Sequence, residues 1–199
     1  MRILVTGGTG FIGSHTCLAL LEKGYEVVVI DSYINSNKKS IQRVKDILTK
    51  ERMTKNLRIN VLQADIRDEE FLEALFSESH RLGKPFDAVI HFAGLKSVKD
   101  SISNPLLYWD VNVNGSINLL KAMNKYKCRT LVFSSSATVY DISNEKLTEN
   151  TNIKPINPYG KTKATLEQLF NDIYDSNPGE WKIANLRYFN PIGAHCSGI

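Results

Sequence analysis

Cysteine is scarce in this sequence: its 199 residues include three, Cys17, Cys128 and Cys196. Their number is odd, they are widely spaced and no CxxC pair occurs, which argues against a disulfide framework and against a zinc ribbon. We therefore expect no metal site. Reduced thiols of this kind are typical of a cytoplasmic protein.

Long apolar runs are also lacking. No stretch approaches the roughly 18 apolar residues of a membrane span. The apolar start of the chain turns polar and glycine-rich at Thr6, which is too early for a signal peptide. With 42% hydrophobic and 23% charged residues, the composition excludes a disordered tail, a collagen-like fibre and a coiled coil. We expect a globular protein with no membrane partner.

Positive charge is modest overall, at a formal net charge of +4, and concentrated in residues 38–58. That segment holds eight basic and two acidic residues, a local charge of +6. It fits either a nucleic-acid face or the solvated face of an amphipathic helix. We favour the helix, and expect no nucleic-acid partner, because no nucleic-acid motif accompanies the charge. Its inward positions would be Ile41, Val44, Ile47 and Leu48.

Short apolar runs alternate with segments of helical periodicity along the chain. The predicted strands are Arg2–Thr6, 26–30, 57–63, 86–91, 129–134 and 181–186. The predicted helices are Phe11–Glu22, 38–50, 68–82, 105–125 and 158–174, with a polar loop at 141–157. Buried strands that alternate with helices predict an α/β fold, a doubly wound parallel sheet of Rossmann type in three α/β/α layers. Ligands of such a sheet bind at the carboxyl ends of its strands.

A glycine-rich turn follows the first strand directly. Gly7, Gly10 and Gly13 are spaced GxxGxxG between that strand and a helix. In dinucleotide-binding proteins these positions permit a tight turn, let the backbone approach a pyrophosphate and allow close packing of helix on strand. The phosphates then lie on the positive end of the helix.

An acidic residue, Asp31, ends the second strand at the place where it would accept hydrogen bonds from the adenosine ribose. A carboxylate there would repel a 2′-phosphate, so NAD is favoured over NADP. Lys38 and Lys39 lie near in sequence and keep NADP as the alternative. We expect a bound NAD cofactor.

Two further residues end strands at the same edge of the sheet. Asp65 is either a contact to the adenine edge or an ordinary aspartate of a surface loop, and the sequence does not separate the two. His91 is interpreted as a packed, hydrogen-bonded histidine rather than a catalyst.

Tyr159 and Lys163 are four residues apart and share one helix face. An ammonium beside a phenol lowers the pKa of the phenol, which makes Tyr159 a candidate general base. The serines at 134–136 end the fifth strand nearby, where Ser136 or Thr138 would hydrogen-bond a substrate hydroxyl.

These motifs resemble the extended short-chain dehydrogenase/reductases and, within them, the UDP-glucose 4-epimerases. The matching stretches, from residue 4 to residue 195, are VTGGTGFIGSH, HFAGLKSV, VNVNG, FSSSATVY, NPYGKTK and LRYFNPIGAH. The resemblance implies that Ser136, Tyr159 and Lys163 carry the chemistry. It implies NAD contacts from Gly7, Gly10, Phe11, Ile12, Gly13, Asp31, Ser32, Asn35, Ser36, Asp65, Ile66, Phe92, Ala93, Gly94, Lys96, Tyr159, Lys163 and Phe189. It implies contacts to UDP-galactose or UDP-glucose from Lys96, Ser136, Thr138, Tyr159 and Asn190.

The resemblance also narrows the reaction. Related dehydratases and decarboxylases carry acidic residues just after the serine, whereas this chain has Ala137 and Thr138. That difference favours epimerisation by transient oxidation at sugar C4. The alternatives are another NAD-dependent nucleotide-sugar epimerase or reductase, and a non-catalytic NAD-binding module.

Family members continue beyond the length of this chain with a smaller domain that grips the nucleotide. We therefore expect residues 1–199 to form one NAD-binding domain, with the substrate domain largely absent, and to bind UDP-sugars poorly. The family usually forms homodimers through the helices that correspond to residues 105–125 and 158–175.

Overall fold

The computed structural model describes residues 1–50, 57–141 and 146–198. Residues 51–56 of the basic segment and residues 142–145 of the predicted polar loop lie outside the described residues. The strands are β1 (Arg2–Thr6), β2 (Glu26–Asp31), β3 (Ile59–Gln63), β4 (Ala88–His91), β5 (Thr130–Ser136) and β6 (Lys182–Tyr188). The α-helices are α1 (Phe11–Glu22), α2 (Lys39–Lys50), α3 (Glu69–Arg81), α4 (Val98–Ser103), α5 (Pro105–Tyr108), α6 (Gly115–Lys125) and α7 (Pro158–Ser176).

The six strands form one parallel sheet in the order β3-β2-β1-β4-β5-β6. Strand order reverses at β1, where Leu4 pairs with Val28 of β2 on one side and with Val89 of β4 on the other. Such a reversal opens a crevice at the carboxyl ends of the central strands. The predicted doubly wound Rossmann sheet is confirmed.

Alternate residues of β1 supply two separate cores, because successive side chains of a strand point to opposite faces. Ile3 and Val5 pack with buried residues of α1 and α2. Leu4 packs on the other face with Leu72, Leu119, Phe170 and further residues of α3, α6 and α7. Both faces of the sheet are thereby covered, which explains why its strands read as continuous apolar runs.

The predicted helix at 105–125 is wrong as a single α-helix. Pro105–Tyr108 is α-helical, Trp109–Asn114 is a π-helical segment, and the α-helix resumes at Gly115. Helix α4 was not predicted, since six residues are too few for helical periodicity to register. Strand β5 runs to Ser136, two residues further than predicted, because it pairs with β6 up to Tyr188.

The amphipathic interpretation of the basic segment is confirmed over α2. Its four predicted inward positions, Ile41, Val44, Ile47 and Leu48, are all buried. Within the described ranges, none of the helices combines the length and the apolar character that crossing a membrane requires.

Candidate functional site

A cleft of about 600 Å³ lies at the carboxyl ends of the strands, over the point where strand order reverses. Every site residue predicted from the sequence lines it: Gly7, Gly10, Phe11, Ile12, Gly13, Asp31, Ser32, Asn35, Ser36, Asp65, Ile66, Phe92, Ala93, Gly94, Lys96, Ser136, Thr138, Tyr159, Lys163, Phe189 and Asn190. The sequence reasoning did not single out several apolar lining residues, among them Val98, Val111 and Tyr188. All three lie within the quoted motifs HFAGLKSV, VNVNG and LRYFNPIGAH, which were the available signal.

The glycine turn shapes one wall of the cleft. Gly7 has φ +66°, a backbone conformation that side chains disfavour. A Cβ on Gly13 would lie 2.4 Å from the Gly7 carbonyl oxygen, so α1 packs directly on the turn. Gly10 is the N-cap of α1 and provides no side-chain cap. A Cβ there would contact the Gly7 oxygen alone, at 3.3 Å, so Gly10 is less enclosed than Gly13, and it lines the cleft.

Asp31 organises the adjoining loop while facing the cleft. Its carboxylate accepts hydrogen bonds from the Thr9 amide at 3.0 Å, the Tyr33 amide at 3.0 Å and the Ser36 hydroxyl at 2.7 Å. Tyr33 does not line the cleft, and the Lys38 ammonium lies 4.9 Å from the centre of its ring. Lys38 therefore contacts the ring of Tyr33 and does not line the cleft.

Asp65 lines the cleft and is part of an ion-pair cluster. Arg67 donates to Asp65 with Nη2 at 2.7 Å and to Asp110 with Nη1 at 2.8 Å. The hydrogen bond from Arg67 lowers the pKa of Asp65, although partial burial opposes that shift. Asp65 is thus a fixed anion at the edge of the cleft, and not a free aspartate of a surface loop.

His91 is packed and hydrogen-bonded. Its Nδ1 lies 2.6 Å from the Thr6 hydroxyl and its Nε2 lies 2.8 Å from the Ser116 hydroxyl. Burial lowers the pKa of His91 to about 3, with a smaller effect in the same direction from Lys163. The imidazole is therefore neutral at physiological pH, and it braces the cleft without lining it.

Asn112 is a structural contributor that the sequence reasoning did not single out. It lies in the π-helical segment, and its side chain accepts from the Leu95 amide at 2.8 Å and donates to the Leu95 carbonyl at 3.0 Å. It also donates to the Thr162 hydroxyl at 3.2 Å. Asn112 thereby joins the loop after β4 to helix α7. Its place in the VNVNG motif was the available signal.

Ser136 lies at the end of β5, and it faces Tyr159, which lies at the start of α7. The Ser136 oxygen accepts hydrogen bonds from the Thr138 amide at 3.2 Å and the Thr138 hydroxyl at 3.0 Å. These contacts leave the Ser136 hydrogen free to point toward the Tyr159 oxygen. Burial raises the pKa of Tyr159, and its contact with Ser136 acts in the opposite direction.

The expectation that Lys163 lowers the pKa of Tyr159 is not met in this structure. The Lys163 ammonium donates to the Ser134 carbonyl at 2.8 Å and lies 5.9 Å from the centre of the Tyr159 ring. Burial lowers the pKa of Lys163 to about 8, while Glu167 acts to raise it. Lys163 is aimed at the backbone of β5, and desolvation dominates the titration of Tyr159.

Comparisons with known proteins agree on one family. Residues 3–198 match the model of the NAD dependent epimerase/dehydratase family. UDP-glucose 4-epimerase 2 of Arabidopsis thaliana is 51% identical over 98% of this chain, and UDP-glucose 4-epimerase of Bacillus subtilis is 46% identical over all of it. The chain spans about half the length of these relatives, 53% and 55%.

Solved structures give the same result. A UDP-glucose 4-epimerase from Bifidobacterium longum, in complex with NAD+ and UDP, superposes with a TM-score of 0.89 at 42% identity. It covers all of this chain, which in turn covers 56% of that protein. The resemblance carried by the sequence motifs is confirmed, and the chain belongs to the NAD dependent epimerase/dehydratase family.

Proposed function

We propose that this chain is the NAD-binding and catalytic part of a UDP-glucose 4-epimerase, which interconverts UDP-galactose and UDP-glucose. The observation that carries the proposal is the convergence of Ser136, Tyr159 and Lys163 at the crevice of a Rossmann sheet. The relatives named above support this choice of substrate, since they are UDP-glucose 4-epimerases. In this proposal residues 1–199 form one cofactor-binding domain.

The residues of the cleft fit a dinucleotide. The backbone at Gly10 lines the cleft at the N-terminus of α1, where a pyrophosphate would find amide donors and the positive end of the helix dipole. Asp31 has hydrogen-bonding capacity left for the adenosine ribose, since a carboxylate offers about four acceptor sites and three are used. Asp65 and Ile66 would contact the adenine, and Lys163 the nicotinamide ribose.

The proposed chemistry is a reversible oxidation at C4 of the sugar. When bound, NAD supplies the hydride acceptor and donor. Tyr159 takes the proton of the 4-hydroxyl and later returns it, while Ser136 hydrogen-bonds the same oxygen and holds it beside the phenol. Lys163 would act by holding the nicotinamide ribose, since its ammonium does not lower the pKa of Tyr159 in this structure. Between the two half-reactions the sugar rotates within the site, so that either face of C4 can be presented to the cofactor. Lys96, Thr138 and Asn190 are the further proposed substrate contacts.

Two measurements test this function. The purified chain should bind NAD in a calorimetric titration, and absence of binding would contradict the proposal. Because the relatives are about twice as long, turnover is measured in a chimera that joins this chain to the remaining half of the Bacillus subtilis relative. We expect the chimera to convert UDP-galactose to UDP-glucose, and the isolated chain to do so poorly.

We further propose a homodimer and a cytoplasmic location. Leu106 is 84% exposed, and Leu107 and Trp109 are also exposed in the segment expected to pair. Such a cluster is typical of an interface. The three cysteines are free thiols, which persist in a reducing compartment. Light scattering at several concentrations would test the dimer, and cell fractionation the location.

A further inference from the structure

Helix α7 contacts the end of β5 through three residues spaced one turn apart. Tyr159 faces Ser136, and Lys163 donates to the carbonyl of Ser134 at 2.8 Å. The third residue, Glu167, accepts a short hydrogen bond from the hydroxyl of Ser135. Three consecutive serines thus contact three successive turns of the helix. The sequence reasoning assigned roles to Tyr159 and Lys163 and none to Glu167.

Glu167 is a buried carboxylate, with 3% of its surface exposed. Its charge is balanced by Arg187 of β6, which donates with Nε at 3.1 Å and with Nη2 at 2.6 Å. Arg187 also donates to the Tyr140 hydroxyl at 3.0 Å and to the Glu149 carbonyl at 3.1 Å. Burying two charges is costly, and an apolar pair of similar volume often serves stability as well. Stability alone therefore does not account for this buried pair.

The surroundings of Lys163 show what the Glu167 charge does. On α7 itself the ionisable neighbours of Lys163 are Tyr159 and Glu167, and β4 contributes the neutral imidazole of His91. Strand β5 contributes the ring of Phe133, 4.6 Å from the ammonium, and the Ser134 carbonyl. Strand β6 contributes Arg187, whose guanidinium is paired with Glu167. Burial favours the neutral amine, and the Glu167 carboxylate opposes that effect.

We propose that Glu167 is a positioning residue that fixes the register of α7 on the serines 134–136 and keeps Lys163 charged, with Arg187 as its counter-ion. Its importance for turnover rests on the proposed function. The effect on Lys163 is a property of this chain and needs neither cofactor nor substrate to be measured.

The experiment is an NMR titration of the chain labelled with 13C at the lysine ε-carbon, with Lys163 assigned by comparison with Lys163→Arg. In Glu167→Gln the pKa of Lys163 should fall by on the order of one pH unit, because the carboxylate charge is lost and the Arg187 charge remains. In Arg187→Gln it should rise, because Glu167 is then unbalanced. Asp172→Asn, on the exposed face of the same helix, should change nothing.

A lower Lys163 pKa in Glu167→Gln and a higher one in Arg187→Gln would support the proposal. Loss of packing alone does not predict shifts in opposite directions. An unchanged Lys163 pKa in Glu167→Gln, together with a lower melting temperature, would show a purely structural role and overturn it. If Glu167→Gln does not fold, Arg187→Gln decides: a raised pKa supports the proposal, and an unchanged or lowered one overturns it. Failure of the chain to bind NAD would refute the proposed function, but it would not affect the Lys163 pKa values that this titration measures.

Discussion

The ammonium of Lys163 donates a 2.8 Å hydrogen bond to the carbonyl of Ser134, which ties helix α7 to the end of strand β5. The start of the helix is held independently, because the side chain of its N-cap Asn157 accepts from the Gly160 amide at 2.8 Å. Tyr159 lies between these two anchors. Its position at the cleft is therefore set by the fold itself.

Burial of Lys163 should make stability depend on pH. The pKa of Lys163 is about 8 in the folded chain, below its ordinary value of 10.5. Between these values the unfolded chain holds a proton that the folded chain has lost, so stability should rise with pH through this window. The measurement is the free energy of unfolding in urea from pH 7 to 10. Lys163→Met should lack this rise, and an identical pH dependence in both proteins would contradict the burial of a titrating ammonium.

Removing the phenol oxygen should separate chemistry from binding. Tyr159→Phe in the chimera should lower kcat by at least about 100-fold, since general acid–base groups contribute 10²–10⁴-fold. Affinity for NAD, measured by calorimetry, should be nearly unchanged. Tyr174→Phe is the matched control, because Tyr174 is exposed on the same helix. Unchanged turnover in Tyr159→Phe would refute the role of the phenol.

The glycine turn allows a paired test of packing against cofactor approach. Gly13→Ala should destabilise the chain by about 1–3 kcal/mol, because its Cβ would meet a backbone oxygen at 2.4 Å and the turn must shift. Gly10→Ala should cost about 1 kcal/mol or less, because the φ of Gly10 is −71° and its Cβ would meet only the Gly7 oxygen, at 3.3 Å, although alanine is a poorer N-cap than glycine. It should nevertheless weaken NAD binding strongly, because its methyl group enters the space proposed for the pyrophosphate. Equal effects of the two variants on stability would contradict this distinction.

Asp31 should determine the choice of nicotinamide cofactor. In Asp31→Asn the affinity for NAD should fall about 10–100-fold, the range expected when charged hydrogen bonds are lost. The affinity for NADP should fall less, because the carboxylate no longer repels the 2′-phosphate. Asp46→Asn, an exposed aspartate on α2, serves as the control. An unchanged ratio of the two affinities would remove Asp31 from this role.

Much of the fold was predictable because its signals are local. A fully buried parallel strand must be apolar on both faces, so β1, β2 and β5 stood out as continuous runs. The predicted helix at 68–82 begins at Asp68, a residue type that favours N-caps, and Asp68 accepts from the Phe71 amide at 2.9 Å. The glycine spacing and the Tyr159–Lys163 pair predicted the cleft, since each depends on short-range geometry.

The π-helical segment escaped prediction for the opposite reason. Its backbone conformation is stabilised by distant contacts, including the bond between Asn112 and Leu95 and the close packing of Gly115 on Ile66. The pairing of Glu167 with Arg187 likewise joins residues from two elements that meet only in the folded sheet. The spacing of residues along the sequence does not predict such a contact.

By itself, the sequence determined the alternation of strands and helices, the glycine turn and the identity of the residues around the cleft. These follow from periodicity, backbone sterics and side-chain chemistry, which act over a few residues. Tertiary structure alone decided how those groups titrate and what holds them. Burial raises the pKa of Tyr159, and Glu167 is paired with Arg187, because desolvation and charge pairing depend on which distant segments the fold brings together.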